Sequence, residues 1–470
     1  MVFSSILFIC LFFPVTITVC LLLPARWRNA FLLVASLVFY AWGEPKYLLL
    51  MAATALVDYF AGRGIGRLQK LNKKRAAKTV LALCVTLNLL SLCFFKYTGF
   101  ILKNVSSLLG LQSPVFAVAL PVGISFYTFQ TLSYVIDVYR GRVRVQKNFV
   151  DFFMFVTIFP QLIAGPIVRY SEIEPELTYR PLHAAEFANG VLRFCVGLGK
   201  KVVLANSLGQ IFNSGIAAQD SFLTVFTACL AFMLQIYFDF SGYSDMAIGM
   251  GLMLGFHFPE NFNYPYESVS ITDFWRRWHK TLSAWFLEYL YIPLGGNRKG
   301  KARQIFNLFV VWALTGLWHG ADWNFLLWGL YFFVILVAEK LFFLRLLEKL
   351  PTLLRHLYAL LLVFLCWVLF SANGLGGLLA TLRALFGGAP FASGTGCYLL
   401  VTALPLFALS AVAATHYPKA LLLKLKGRAQ TALAQNGLLL LQGAGAFLLL
   451  LLSLALLTGD SYNPFLYFRF

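Results

Sequence analysis

The chain has 470 residues, of which 60% are hydrophobic and only 12% charged, against about 25% charged residues in an average soluble domain. That balance excludes a soluble globular protein, and a membrane β-barrel is excluded because the apolar runs are continuous rather than alternating. The formal charge is +19, from 38 basic and 19 acidic residues. The basic residues cluster in short loops between apolar runs, where the positive-inside bias and anionic head groups account for them, and no basic soluble face is left for nucleic acid.

The N-terminus, Met1-Val-Phe-Ser-Ser, lacks a basic leader region, and no small-residue cleavage site precedes Arg26. Residues 5–23 are therefore expected to be a retained first span, not a cleaved signal peptide. Further spans are expected at 30–43, 46–62, 79–97 and 115–137. The breaks after the first, third and fifth spans hold Arg26 and Arg28, then Arg63 to Lys78 with seven Lys or Arg, then Arg140, Arg142, Arg144 and Lys147. The breaks at 43–46 and 98–114 are nearly free of net charge. This alternation puts the N-terminus outside.

Later spans are expected at 149–166, 187–206, 222–240, 242–257, 304–318, 322–339, 353–371, 397–415 and 437–458. Hydropathy alone gives roughly 11 to 14 crossings, several of them short enough to be half-membrane or re-entrant helices. The basic patches 298–303, 340–355 and 419–428 then face the cytoplasm, and the C-terminus ends outside. The fold class is an all-α polytopic membrane protein, as a single membrane domain over residues 1–470. Eight cysteines sit nearly all in apolar runs without a CxxC pair and are expected to be buried free thiols. No internal repeat is visible, which counts against a secondary transporter.

Polar groups at membrane depth are costly and mark function more often than they do in water. Four such groups stand out. The first is Gln235 to Asp245, where Asp239, Tyr243 and Asp245 interrupt an apolar span. It reads either as a lining for a polar substrate, or as a structural kink at Gly242 whose carboxylates cap helix ends or pair with arginines. The second is Pro259-Glu-Asn-Phe-Asn-Tyr-Pro-Tyr266, followed by Asp273-Phe-Trp-Arg-Arg-Trp-His-Lys-Thr-Leu-Ser-Ala-Trp-Phe286. Pro265 stops a helix, and Asp273 is placed to cap or open the next one. On one helix from there, Trp275, His279 and Phe286 share a face and Ser283 lies four residues from His279. Trp278 and Trp285 lie on a neighbouring face, and Arg276, Arg277 and Lys280 point to other sides. Taken alone, this stretch reads as a short interfacial helix with tryptophans in the aromatic belt.

The third group is Tyr291-Ile-Pro-Leu-Gly-Gly-Asn-Arg298, where Gly295-Gly296 permits a tight turn. Asn297 and Arg298 then face either a ligand or solvent. The fourth is Gly316-Leu-Trp-His-Gly-Ala321, which puts Trp318 and His319 between glycines that would leave room for a substrate. Histidine suits proton transfer near neutral pH, since its unperturbed pKa is about 6.5. No GxSxG, no HExxH and no other zinc spacing occurs, so no metal is expected.

Asp273 to His279, Leu290 to Arg298 and Gly316 to Ala321, in that order, resemble the membrane-bound O-acyltransferase family, and within it the bacterial alginate O-acetylase branch. Phe39-Tyr-Ala-Trp42, Phe238 to Ile248, the opening residues and the aromatic C-terminus resemble that branch too. One departure is Leu287-Glu288, where the branch commonly carries Arg-Asp. The resemblance implies a helical bundle with re-entrant helices pierced by a central tunnel, its core within 115–340. His319 matches the family's catalytic histidine and His279 the second of the pair.

An acyl thioester, acetyl-coenzyme A or another, would enter from the cytoplasmic side. Arg276, Arg277, Lys280 and Arg298 would draw it in, with Trp275, Trp278, Ser283, Asn297, Trp318, Asp239, Tyr243 and Asp245 as further contacts. No bound cofactor is expected. The resemblance further implies O-acetylation of an extracytoplasmic polysaccharide, with a separate periplasmic or extracellular acyltransferase and polysaccharide-synthesis machinery as partners, from the bacterial cytoplasmic membrane. Transfer of D-alanine from a carrier protein to a cell-wall polymer is one alternative, and a transporter with a histidine proton relay is another.

Overall fold

Long apolar runs have one way to satisfy their backbone in lipid, which is to close every N–H and C=O within a helix. The computed structural model describes residues 1–112, 118–163, 165–429, 431–459, 462–463 and 466, and among them every regular element is helical. In chain order these are α1 Phe13–Leu22, α2 Ala25–Ala41, α3 Leu48–Lys70, α4 Lys74–Leu108, α5 Ile124–Arg140, α6 Phe149–Thr157, α7 Phe159–Leu162, α8 Tyr170–Thr178, α9 Ala184–Gly199, α10 Ser207–Ala218 and α11 Phe222–Leu254. They continue with α12 Ile271–Arg277, α13 Lys280–Phe286, α14 Lys301–His319, α15 Trp323–Ala338, α16 Leu344–Leu347, α17 Thr352–Ser371, α18 Gly374–Leu385, α19 Gly394–Ala413, α20 Tyr417–Arg428 and α21 Ala432–Gly459. Among the described residues six helices are long and apolar enough to cross a membrane. Only 11% of the apolar window of α21 and 17% of that of α4 is buried, against 78% of that of α11. Apolar surface on that scale is untenable in water and ordinary in lipid, so this is a multi-pass membrane protein.

Several expected boundaries move. The runs 222–240 and 242–257 form one helix, α11, which passes through Gly242 without a break. That glycine serves packing: a Cβ there would stand 2.7 Å from the Gly197 carbonyl oxygen and 3.1 Å from the Lys201 nitrogen. The run 149–166 is two short helices instead of one: the chain leaves the helix at Ile158, with φ −53° and ψ 116°, and Pro160 then sits in the first turn of α7, where its missing N–H costs nothing. The run 187–206 continues into α10 through a π-helical turn over Lys200–Asn206. The start of the run 115–137 lies partly outside the described residues, and α5 begins at Ile124. Of the cysteines, Cys10, Cys93 and Cys397 are exposed, contrary to expectation, and the other five are buried and free.

Contacts divide the chain into two units. The first comprises residues 1–194 and 246–259. Its centre is α5, nearly all of whose residues are buried. Helix α3 meets it through Gly62, where a Cβ would stand 2.5 Å from the Tyr134 ring. Asp58 of α3, fully buried, accepts hydrogen bonds from Cys84 and Asn88 of α4 at 2.9 and 2.7 Å.

The second unit comprises residues 195–245 and 260–470. Its core is aromatic, with Phe232, Tyr237 and Phe240 of α11, Phe274 and Trp275 of α12, Trp312, Trp328, Phe332, Trp367 and Phe370 all buried together. Both histidines of interest lie in this unit.

Candidate active site

The segment from Ser270 to Phe286 is two helices, not one. Ser270 is the N-cap of α12, its hydroxyl accepting from the Asp273 amide at 3.0 Å. Asp273 takes the reciprocal place, accepting from the Val269 amide at 3.3 Å and pairing with Arg277 at 3.0 Å. The expected cap at Asp273 is thus at Ser270 instead, three residues earlier. Glu339, fully buried at the start of the π-helical turn after α15, closes the same helix end. Its carboxylate accepts from the amides of Ile271 and Thr272, both at 2.7 Å, and from the Thr272 hydroxyl at 2.6 Å. A carboxylate suits a helix N-terminus, where unpaired amides point outward.

At the other end α12 stops at Arg277. Trp278 is extended, and His279 takes a left-handed conformation with φ 42° and ψ 53°. A non-glycine residue held there is strained, and such strain persists only where the surroundings impose it. They do so here through the backbone of the Asn261–Asn263 loop, which accepts from the Lys280 amide at 2.9 Å and donates to the Arg277 carbonyl at 2.9 Å. Trp275, His279 and Phe286 therefore do not share one helical face. Nor are Trp275, Trp278 and Trp285 interfacial anchors, since all three are buried. Trp275 packs on Trp312 at 4.5 Å between ring centroids, and Trp278 on Trp367 at 4.9 Å.

The imidazole of His279 has no exposed surface. Its Nδ1 lies 3.0 Å from the Asn261 Oδ1, and the Phe240 ring stands edge-on at 4.7 Å. Its Nε2 has no hydrogen-bond partner among the described residues. Asn261 in turn donates to the Ser244 hydroxyl of α11 at 3.1 Å and accepts from the Thr281 hydroxyl at 2.9 Å.

His319 is the last residue of α14 and is 7% exposed. Its ring lies 4.9 Å from Trp318, 5.0 Å from Trp328 and 5.6 Å from Phe370. The Trp318 ring is also 6.1 Å from that of His279, so both histidines neighbour one indole. The glycines around His319 do not hold space for a substrate. A Cβ on Gly316 would stand 2.4 Å from the Phe325 carbonyl oxygen, and one on Gly320 would stand 2.2 Å from the Phe325 ring. Gly329 across the pair would meet the Trp312 carbonyl oxygen at 2.3 Å. These glycines let α14 and α15 approach backbone to backbone.

The remaining sequence candidates divide by engagement. Asp239 pairs with Lys201 at 2.7 Å with both side chains buried, and its other oxygen accepts from the Leu466 amide at 3.0 Å. Asp245 pairs with Lys200 at 2.7 Å. The partners are lysines of the π-helical turn, not arginines, and Tyr243 is buried beside them on α11. Arg277 is engaged by Asp273 and, at 3.9 Å, by Glu267. Arg276 is exposed, and Lys280 and Ser283 are half-buried. Gly295 and Gly296 both have positive φ, as a tight turn requires, and Asn297 and Arg298 lie exposed on it. Among the described residues no three His, Cys, Asp or Glu side chains are grouped to hold a metal.

Sequence reasoning missed Asn261, Glu339, Lys200 and Lys201. Two adjacent lysines in an apolar run were a signal, since each needs a counter-ion. Asn261 and Glu339 carried none, because their partners lie 18 and 67 or 68 residues away in the chain.

Comparison with known proteins places this geometry in context. The family model for membrane-bound O-acyltransferases matches residues 80–381. The chain is 44% identical to the probable alginate O-acetylase AlgI of Azotobacter vinelandii over 380 residues, 80% of this chain and 76% of that one. With the probable alginate O-acetylase AlgI of Pseudomonas putida it shares 38% identity over the full length of both chains. With the peptidoglycan O-acetyltransferase of Helicobacter pylori it shares 36% identity over 82% of this chain and 80% of that one.

Proposed function

The chain belongs to the membrane-bound O-acyltransferase family and is an O-acyltransferase, and from that premise we propose that it moves an acetyl group from a cytoplasmic thioester, acetyl-coenzyme A, across the bacterial cytoplasmic membrane for O-acetylation of an extracytoplasmic polysaccharide. The observation that carries this reading is the pair of buried histidines packed against the same indole, Trp318, in a chain whose relatives include acetylases of two different glycans. A separate acyltransferase outside the membrane completes delivery to the polysaccharide, and both termini of this chain lie on that outer side.

In the proposed chemistry His319 is the general base. The acceptor hydroxyl attacks the thioester carbonyl, a C–O bond forms and the C–S bond breaks. The hydroxyl proton passes to His319 and from there to the leaving thiolate, so the products are an ester and a free thiol. Base catalysis of this kind is worth about 10²–10⁴ in rate, and holding two substrates in line contributes further. His279 orients the reacting groups. The exposed cations Arg276 and Arg298, with half-buried Lys280, attract the anionic donor by charge at the donor-facing surface. Arg277, engaged by two carboxylates, contributes less.

The test is transfer of label from radiolabelled acetyl-coenzyme A in membranes, comparing wild type with His319→Ala, with and without candidate outer partners. Label on protein or glycan in the wild type alone supports the proposal. Label supplied only by an aminoacyl carrier protein would replace it with D-alanyl transfer. Label from neither donor would sink it.

A further inference from the structure

The bonds around Asn261 fix which nitrogen of His279 carries the proton. The Thr281 amide and hydroxyl reach the same Asn261 atom, at 3.4 and 2.9 Å. A backbone amide can only donate, so that atom is the side-chain carbonyl oxygen and not its nitrogen. The nitrogen is then the atom 3.1 Å from the Ser244 hydroxyl, which can accept from it. His279 Nδ1, 3.0 Å from the same carbonyl oxygen, must therefore be a donor. A neutral imidazole has one N–H, so Nε2 is a bare lone pair. That atom is sealed from solvent and lacks a hydrogen-bond partner among the described residues, a costly state for a polar atom unless a ligand completes it.

We propose that Asn261 is a positioning residue that locks His279 in its Nδ1–H form, so that the Nε2 lone pair accepts a hydrogen bond from a substrate N–H or O–H group other than the reacting hydroxyl, while His319 takes the reacting hydroxyl's proton. This rests on the acyl-transfer reading above and assigns the division of labour within it. The choice of residue supports the division. An aspartate in this place would stabilise an imidazolium and make His279 a proton acceptor, as a carboxylate does behind a catalytic histidine. A neutral amide holds the tautomer and the ring plane without favouring the charged form. The left-handed backbone at His279 and the Lys280 amide bonded to the Asn261 carbonyl tie both residues to one frame.

The experiment is ¹⁵N nuclear magnetic resonance of histidine-labelled protein in lipid bilayers, with no substrate present. The chain has six histidines, and subtraction of the His279→Gln spectrum identifies the one of interest. The wild type should show a protonated Nδ1 and a bare Nε2. Asn261→Leu should release the lock, giving a mixed or Nε2–H population, and should lower kcat for acetyl transfer by about 10- to 100-fold, the range for groups that orient a histidine, with KM for the thioester little changed. Asn261→Asp should restore the Nδ1–H signal and, because its carboxylate favours the imidazolium, add an Nε2–H signal.

A wild-type Nε2–H signal overturns the proposal, and so does an Asn261→Leu protein that keeps both tautomer and kcat. If Asn261→Leu does not fold, the wild-type spectrum still decides the tautomer, and loss of the Nδ1–H signal in Asn261→Asp counts against the lock. Because the spectrum is recorded without substrate, failure of acetyl-coenzyme A as donor would leave the tautomer result standing, and the reverse also holds.

Discussion

The α12–α13 break and the α14–α15 pair each place one buried histidine, by opposite means. His279 sits where the chain leaves the helix, and directional bonds from Asn261 and the surrounding loop hold it there. The helix before it is held by Ser270 and Glu339. His319 ends a regular helix and is placed by close packing, with Gly316 and Gly329 bringing two backbones together and Trp318, Trp328 and Phe370 walling the ring. The first arrangement is vulnerable to the loss of one polar atom, and the second to the addition of one methyl group. Hydrogen bonds set orientation well, whereas packing sets position and excludes water, and a site that must orient one group and receive a proton on another uses both.

The largest expected effect tests the chemical half of this contrast. His319→Ala should lower acetyl transfer by about 10²–10⁴ while the protein still inserts and runs as wild type on size-exclusion chromatography. Equal activity in the variant would remove the base from His319. Next, Glu339→Gln turns one acceptor at the α12 N-terminus into a donor facing an amide. It should cost about 1.5–3 kcal/mol, as for hydrogen bonds to a charged group, read as a lowered Tm in detergent together with reduced transfer.

Gly329→Ala should cost about 1–3 kcal/mol by overpacking, because its Cβ meets a backbone carbonyl that cannot move aside. Gly376→Ala, where a Cβ meets nothing within 4 Å, should leave stability within about 0.5 kcal/mol of wild type. A similar loss at both positions would end the packing half of the comparison.

The smallest effect concerns a histidine outside both regions. His257 lies with its side chain 54% exposed beside Glu176 at 2.7 Å and Glu186 at 3.4 Å. Burial pulls its pKa down, but the hydrogen bonds and charges of the two glutamates together outweigh that, and the net shift is upward from 6.5. A raised pKa means that the folded state binds the proton more tightly. The stabilisation is complete below pH 6.5 and is lost as pH rises through the folded value. Solvent screening keeps it to about 1 kcal/mol or less. His257→Gln should therefore flatten the decline of Tm above pH 6.5 and change little below it. A large effect there would mean that burial is not what separates the two histidine regions from the surface.

How much was legible before folding differs between fold and site. Helix existence followed from the apolar runs, since each is long enough to close its own hydrogen bonds. Boundaries failed where a local signal had a tertiary use. Gly242 reads as a breaker in sequence, yet it lies mid-helix because another backbone passes against it. Gly316 and Gly320 read as room for a substrate, yet the room is taken by Phe325. The tryptophans of 275–285 read as a membrane belt, yet they form part of the buried core.

His279 and His319 could be singled out from sequence because an ionisable side chain in an apolar chain has few other reasons to be there. Asn261 and Glu339 could not, because an asparagine in a loop and a glutamate at a span end are commonplace until their partners are known. Composition by itself determined that this is a helical membrane protein, and the order of its motifs determined the family, because both are written in local residue types. Only the tertiary structure decided that His279 leaves the helix, which of its nitrogens carries the proton, and that both histidines neighbour Trp318. Those facts depend on distances between residues far apart in the chain, and no local pattern encodes a distance.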